Sequence, residues 1–118
     1  MNDTSAPIGI FDSGVGGLTV LKAMRELMPD EQYIYLGDTA RLPYGTKTAD
    51  TVRRYALNAA AHLARHRIKL LVVACNTASS FALDEVAAAS SVPVVGVVQP
   101  GVRAALFTGA DRIAVIGT

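Results

Sequence analysis

The sequence holds a single cysteine, Cys75, so no internal disulfide can form and a reducing compartment is the simpler expectation. No apolar run approaches the ~20 residues that a membrane-spanning helix needs. Residues 1–7 lack the basic segment and apolar core of a secretory signal, so a cytoplasmic protein without a membrane partner is expected. Charge is scarce as well. Charged residues make up 18% and the formal net charge is +1, which leaves no basic face broad enough for nucleic acid. None of Lys22, Lys47 and Lys69 falls at an expected strand tip, so a pyridoxal Schiff base has no anchor. No Gly-Lys-Ser/Thr follows the glycine-rich segment, which excludes a Walker A loop.

Apolar residues are abundant, at 51% of 118, enough for one domain over residues 1–118 with well-covered strands. Strand-like and helix-like segments alternate. Residues 7–12, 33–37, 68–75, 92–98 and 112–117 read as strands; residues 18–28, 49–67, 77–89 and 100–107 read as helices. In 49–67 the stripe Val52, Tyr55, Ala56, Ala59, Ala60 and Leu63 defines a buried face, and Thr48 is placed to cap it. Such alternation predicts an α/β fold, a doubly wound parallel sheet with helices on both faces.

Open parallel sheets bind ligands beyond the carboxyl ends of their strands. Polar residues of this chain gather there. Asp12 and Ser13 end the first strand, Asp38 the second, and Cys75, Asn76 and Thr77 the third, while Gln99 follows the fourth and Thr118 the fifth. The turn Asp12-Ser13-Gly14-Val15-Gly16-Gly17 can aim backbone N–H groups at an anion. It departs from the dinucleotide fingerprint, because Thr19 occupies the third glycine position and Asp12 puts a carboxylate where a pyrophosphate would sit. A plain tight turn and a nucleotide- or ligand-binding module both remain open at this point.

Free cysteines are mostly buried and inert. Cys75, however, ends a strand just before a helix N-terminus, with Asn76 or Thr77 expected to cap that helix, and such a terminus favours a thiolate. His62 and His66 have a helical spacing that can bind metal, but position 63 is leucine, so H-E-x-x-H fails and solvated or structural histidines are expected.

Three segments taken together are more specific: Phe11-Asp12-Ser13-Gly14-Val15-Gly16-Gly17-Leu18-Thr19, Gly37-Asp38-Thr39-Ala40-Arg41-Leu42-Pro43-Tyr44-Gly45, and Ala74-Cys75-Asn76-Thr77-Ala78. In order and spacing they resemble the glutamate racemases of the aspartate/glutamate racemase superfamily, and the resemblance runs the length of the chain. It implies a flavodoxin-like domain, the N-terminal one of two similar domains, in a homodimeric enzyme that interconverts L- and D-glutamate for peptidoglycan without cofactor or metal. It implies two cysteines flanking the α-carbon, of which Cys75 matches the first; the second belongs to a C-T-H-Y-P-like segment that this chain does not contain. By the same resemblance, Asp12 assists Cys75, Asn76 and Thr77 hold the α-carboxylate or ammonium, and Ser13 with the backbone N–H groups of Tyr44 and Gly45 holds the side-chain carboxylate. Pro43 and Thr118 line the pocket. Gln99 stands where many relatives carry an acid. A racemase for aspartate or another amino acid is the neighbouring alternative.

Overall fold

A computed structural model describes residues 4–117. Four parallel strands form one sheet in the order β2-β1-β3-β4. They are β1 (Ile8–Asp12), β2 (Tyr33–Gly37), β3 (Leu70–Val73) and β4 (Val94–Gly96). The order 2-1-3-4 is that of a flavodoxin-like doubly wound sheet, whose direction of growth reverses between β1 and β3. All five residues of β1 are buried, as expected of a central strand covered on both faces.

Pleating divides the apolar residues between the two faces. On one, Ile8, Ile10 and Val72 meet Val20, Leu21 and Met24 of α1 (Leu18–Leu27). On the other, Phe11, Leu71 and Val73 meet Val52, Ala56, Ala59 and Leu63 of α2 (Ala49–Ala64) and Val86 of a later helix. Burial of each large apolar side chain here contributes roughly 1.5–3 kcal/mol. Thr48 caps α2 as expected, its hydroxyl accepting the Thr51 N–H at 3.2 Å.

Several boundaries differ from the sequence reading. Helix α2 stops at Ala64 rather than residue 67, because the next amides bond three residues back and Arg67 takes a left-handed φ of 55°. The alanine-rich stretch 77–89 is two helices, α3 (Asn76–Phe81) and α4 (Leu83–Ala89), broken at the fully buried Ala82. Strand β4 is shorter than 92–98. Pro93 has no N–H to give the ladder, and the Val97 N–H goes to Ser79 Oγ at 3.3 Å. Helix α5 (Val98–Phe107) takes in Val98 and Gln99, and Gln99 is exposed.

Residues 112–117 form no strand. Their β-branched residues express a preference for a covered, paired environment, but they pair with no neighbour among the described residues, and Val115 and Ile116 are 90% and 96% exposed. The site residue Thr118 lies outside the described residues.

Candidate active site

The tips of β1 and β3 flank the point where the sheet reverses direction, since Phe11 is the register partner of Val73 and the Ala74 N–H donates to Phe11 O at 2.7 Å. At the β1 tip, Asp12 is 6% exposed and its carboxylate turns into its own loop. Oδ2 accepts from Gly17 N at 2.8 Å, from Gly14 N at 3.3 Å and from the Tyr35 hydroxyl at 3.2 Å. The glycine-rich turn is thus an anion cradle already occupied by the protein's own carboxylate. N–H groups that a pyrophosphate would need are taken, which removes the physical basis for a dinucleotide site. Gly17 has to be glycine: a Cβ there would lie 2.7 Å from Asp12 Cβ and 3.1 Å from Ala74 Cβ. Ser13 is half-buried beside Asp12, and its hydroxyl makes no hydrogen bond among the described residues.

At the β3 tip, Cys75 is the N-cap of α3, with extended φ/ψ of −87° and 124°. Here the structure corrects the expected cap. Sulfur, rather than Asn76 or Thr77, accepts the orphan N–H, from Ala78 at 3.4 Å, because Asn76 and Thr77 are already the first helical residues. Cys75 is 6% exposed and packs within the apolar cluster around Phe11, Tyr44 and Ala78. Ser79, one turn on, ties the two strand ends together: its hydroxyl donates to Val73 O at 3.0 Å and accepts from Val97 N. Asn76, exposed, and Thr77, half-buried, border a groove of about 940 Å³ that Gly45 also borders.

The loop after β2 folds into two single 3-10 turns, Thr39–Arg41 and Tyr44–Thr46, joined through the cis Leu42–Pro43 bond. Pro43 and Gly45 are exposed. Tyr44 is 1% exposed, and its ring sits 6.0 Å from Phe11 and 5.6 Å from Tyr55. Its hydroxyl donates to Asp38 Oδ2 at 2.5 Å. Arg41 Nε lies 3.8 Å from the same oxygen, and the Arg41 guanidinium covers the Tyr55 ring at 4.5 Å. Burial first, and then the Asp38 hydrogen bond and charge, push the Tyr44 phenol well above its ordinary value; Arg41 opposes this and charge on Cys75 adds to it. Tyr44 therefore stays a neutral donor, and its ring belongs to the core. What it can offer a ligand is its backbone.

His62, on α2, and His66, just past its end, are exposed with ring centroids 5.9 Å apart, and His62 borders a cleft with Leu36, Gly37 and Asp38 at the end of β2. Two groups missed by the sequence reading are Tyr35 and Ser79. Each is a hydroxyl whose partners lie in other segments at the strand ends, and local pattern carries no sign of such pairing.

The profile of the family described as Asp/Glu/Hydantoin racemase matches residues 8–118. A glutamate racemase from Thermus thermophilus is 58% identical over 118 residues, which is all of this chain and 45% of that relative. The solved glutamate racemase of Aquifex pyrophilus superposes with a TM-score of 0.87 at 51% identity, covering 89% of this chain and 42% of that one. The glutamate racemase of Francisella tularensis, solved in complex with D-glutamate, superposes with a TM-score of 0.81 at 44% identity, covering 85% and 38%. The chain thus spans less than half the length of the curated relatives it matches.

Proposed function

Because the chain belongs to the Asp/Glu/Hydantoin racemase family, we propose that it is the N-terminal domain of a glutamate racemase and supplies one of the two proton-transfer groups of its site. The observation that carries this reading is the β3 tip: a buried thiol at the sheet's reversal point, at the head of a helix, with a backbone N–H aimed at sulfur. Such a donor suits a thiolate. Inversion requires removal of the α-proton from one face and delivery to the other. A base held on one face can only take and return a proton on its own side, so Cys75 serves one face and a second group, in a domain beyond this chain, serves the other.

The carbanion-like state formed on proton loss is stabilised only if preorganised donors meet the α-carboxylate. Asn76 and Thr77 are assigned to the α-carboxylate or ammonium. Ser13 with the backbone of Tyr44 and Gly45 is assigned to the side-chain carboxylate, with Pro43 and Thr118 as lining. Asp12 assists Cys75. Glutamate rather than aspartate is favoured by the Francisella relative, whose structure is a complex with D-glutamate. The proposal extends to a cytoplasmic homodimer that supplies D-glutamate for peptidoglycan and needs no cofactor. No helix among the described residues is long and apolar enough to cross a membrane.

The test is to feed L-glutamate to the intact protein and to this 118-residue chain, and assay D-glutamate by chiral chromatography. The intact protein should turn over, Cys75→Ala should abolish turnover, and the 118-residue chain alone should form no D-glutamate at an enzymatic rate. Turnover by the chain alone that depends on Cys75 would overturn the half-site reading.

A further inference from the structure

Tyr35 stands on β2, an edge strand, and its hydroxyl reaches across to the β1 tip. It lies 3.2 Å from Asp12 Oδ2 and 2.9 Å from Gly14 O, both of them acceptors. A phenol has one hydrogen, so it serves one of the two at a time. The other two donors on Oδ2 are the backbone N–H groups of Gly14 and Gly17, which cannot turn away. All three donors converge on Oδ2, which leaves Oδ1 outside the cradle.

We propose that Tyr35 is a positioning residue that keeps Asp12 fully hydrogen-bonded in both of its protonation states, so that Asp12 can carry a proton on Oδ1 without its backbone moving. The proposal rests on the reading of Asp12 as the partner of Cys75. When Asp12 is ionised, the Tyr35 hydrogen points to Oδ2, and that oxygen has three donors. When Asp12 is neutral, its proton is on Oδ1 and Oδ2 is a carbonyl oxygen with two lone pairs. The two N–H groups then satisfy it, and the Tyr35 hydrogen swings to Gly14 O. Only a hydrogen changes place. On the reading of Asp12 as the partner of Cys75, the proton that the thiol gives up in the intact enzyme is carried on Oδ1, leaving a thiolate and a neutral acid, and the reverse step restores both. Tyr35 does not compete for that proton. Burial, and then the Asp12 charge and hydrogen bond, push its phenol up to about 12, so it stays a donor near neutrality.

In the intact enzyme, kcat and KM should be measured in both directions for wild type, Tyr35→Phe, Asp12→Asn and the double variant. Tyr35→Phe should lower kcat by about tenfold, the effect of one hydrogen bond to a charged group, and leave KM within about twofold. Asp12→Asn should lower kcat further, and adding Tyr35→Phe to it should change kcat by less than about twofold. 3-Fluorotyrosine at position 35, which keeps the hydroxyl, should restore most of the lost rate. Costs that multiply in the double variant, a change confined to KM, or 3-fluorotyrosine as impaired as phenylalanine would each overturn the role of Tyr35. A wild-type kcat in Asp12→Asn would overturn the reading of Asp12 itself, and the proposal with it.

Discussion

The tips of β1 and β3 lie side by side but are built on opposite plans. At the β1 tip a carboxylate is held by three donors on one oxygen, with a glycine pressed against its Cβ. At the β3 tip a thiol sits in an apolar cluster with a single N–H 3.4 Å from sulfur. The first environment holds a carboxyl group in place. The second leaves a sulfur atom sparsely hydrogen-bonded. Buried polar networks rigidify when every member is satisfied, so the β1 tip forms a fixed frame beside the β3 tip.

The contrast predicts unequal consequences of change at the two tips. Cys75→Ala in the intact enzyme should cause the largest loss, about 10⁴-fold in kcat, because the proposed reading makes its sulfur the proton-transfer atom; circular dichroism should show the fold retained. Asp12→Asn should cost less, about 10²-fold, with KM little changed. A loss as large as that of Cys75→Ala would mean that the two tips act as one unit. Gly17→Ala breaks the frame without touching a reactive atom. Its Cβ would fall 2.7 Å from Asp12 Cβ, so the strain should cost about 1–3 kcal/mol, read from urea denaturation.

Smaller still is the alkaline effect of Tyr35. Its folded value, pushed from 10.0 to about 12, lies above the unfolded one. The stability it adds is therefore fully present below about pH 10 and is lost as pH rises through 12. Denaturation of wild type and Tyr35→Phe at pH 9 and pH 11.5 should show the gap between them narrowing at the higher pH. His62→Ala should do least. An exposed side chain outside the hydrogen bonds of Asp12 and Cys75 predicts a change within about 0.5 kcal/mol and unaltered turnover.

Much of the frame was legible in the sequence because it depends on local pattern. The period of the Val52–Leu63 stripe gave the face of α2, and the turn before Leu18 gave the break between β1 and α1. The parallel sheet followed from the alternation of segments. What was not legible depends on distant partners. Nothing in an alanine-rich run marks Ala82 as a break, and no glycine or proline marks the end of α2 at Ala64. The 112–117 segment has a strand's composition but no strand beside it among the described residues. At the site, the segments bearing Asp12, Tyr44 and Cys75 could be named from their motifs. Sulfur as the cap, Asp12 as occupant of its own glycine cradle, and Tyr35 as its third donor are three-dimensional facts that no spacing encodes.

The central claim is that Cys75 works on one face of the α-carbon only. Exchange in deuterated water tests it most directly, with the intact Cys75→Ala enzyme incubated separately with L- and D-glutamate and α-deuterium followed by NMR. The opposite group is still present and should exchange the α-proton of one enantiomer without inverting it, while the other enantiomer stays unlabelled. Equal deuterium incorporation into both enantiomers, or inversion at the wild-type rate, would show that Cys75 is not the base on its face.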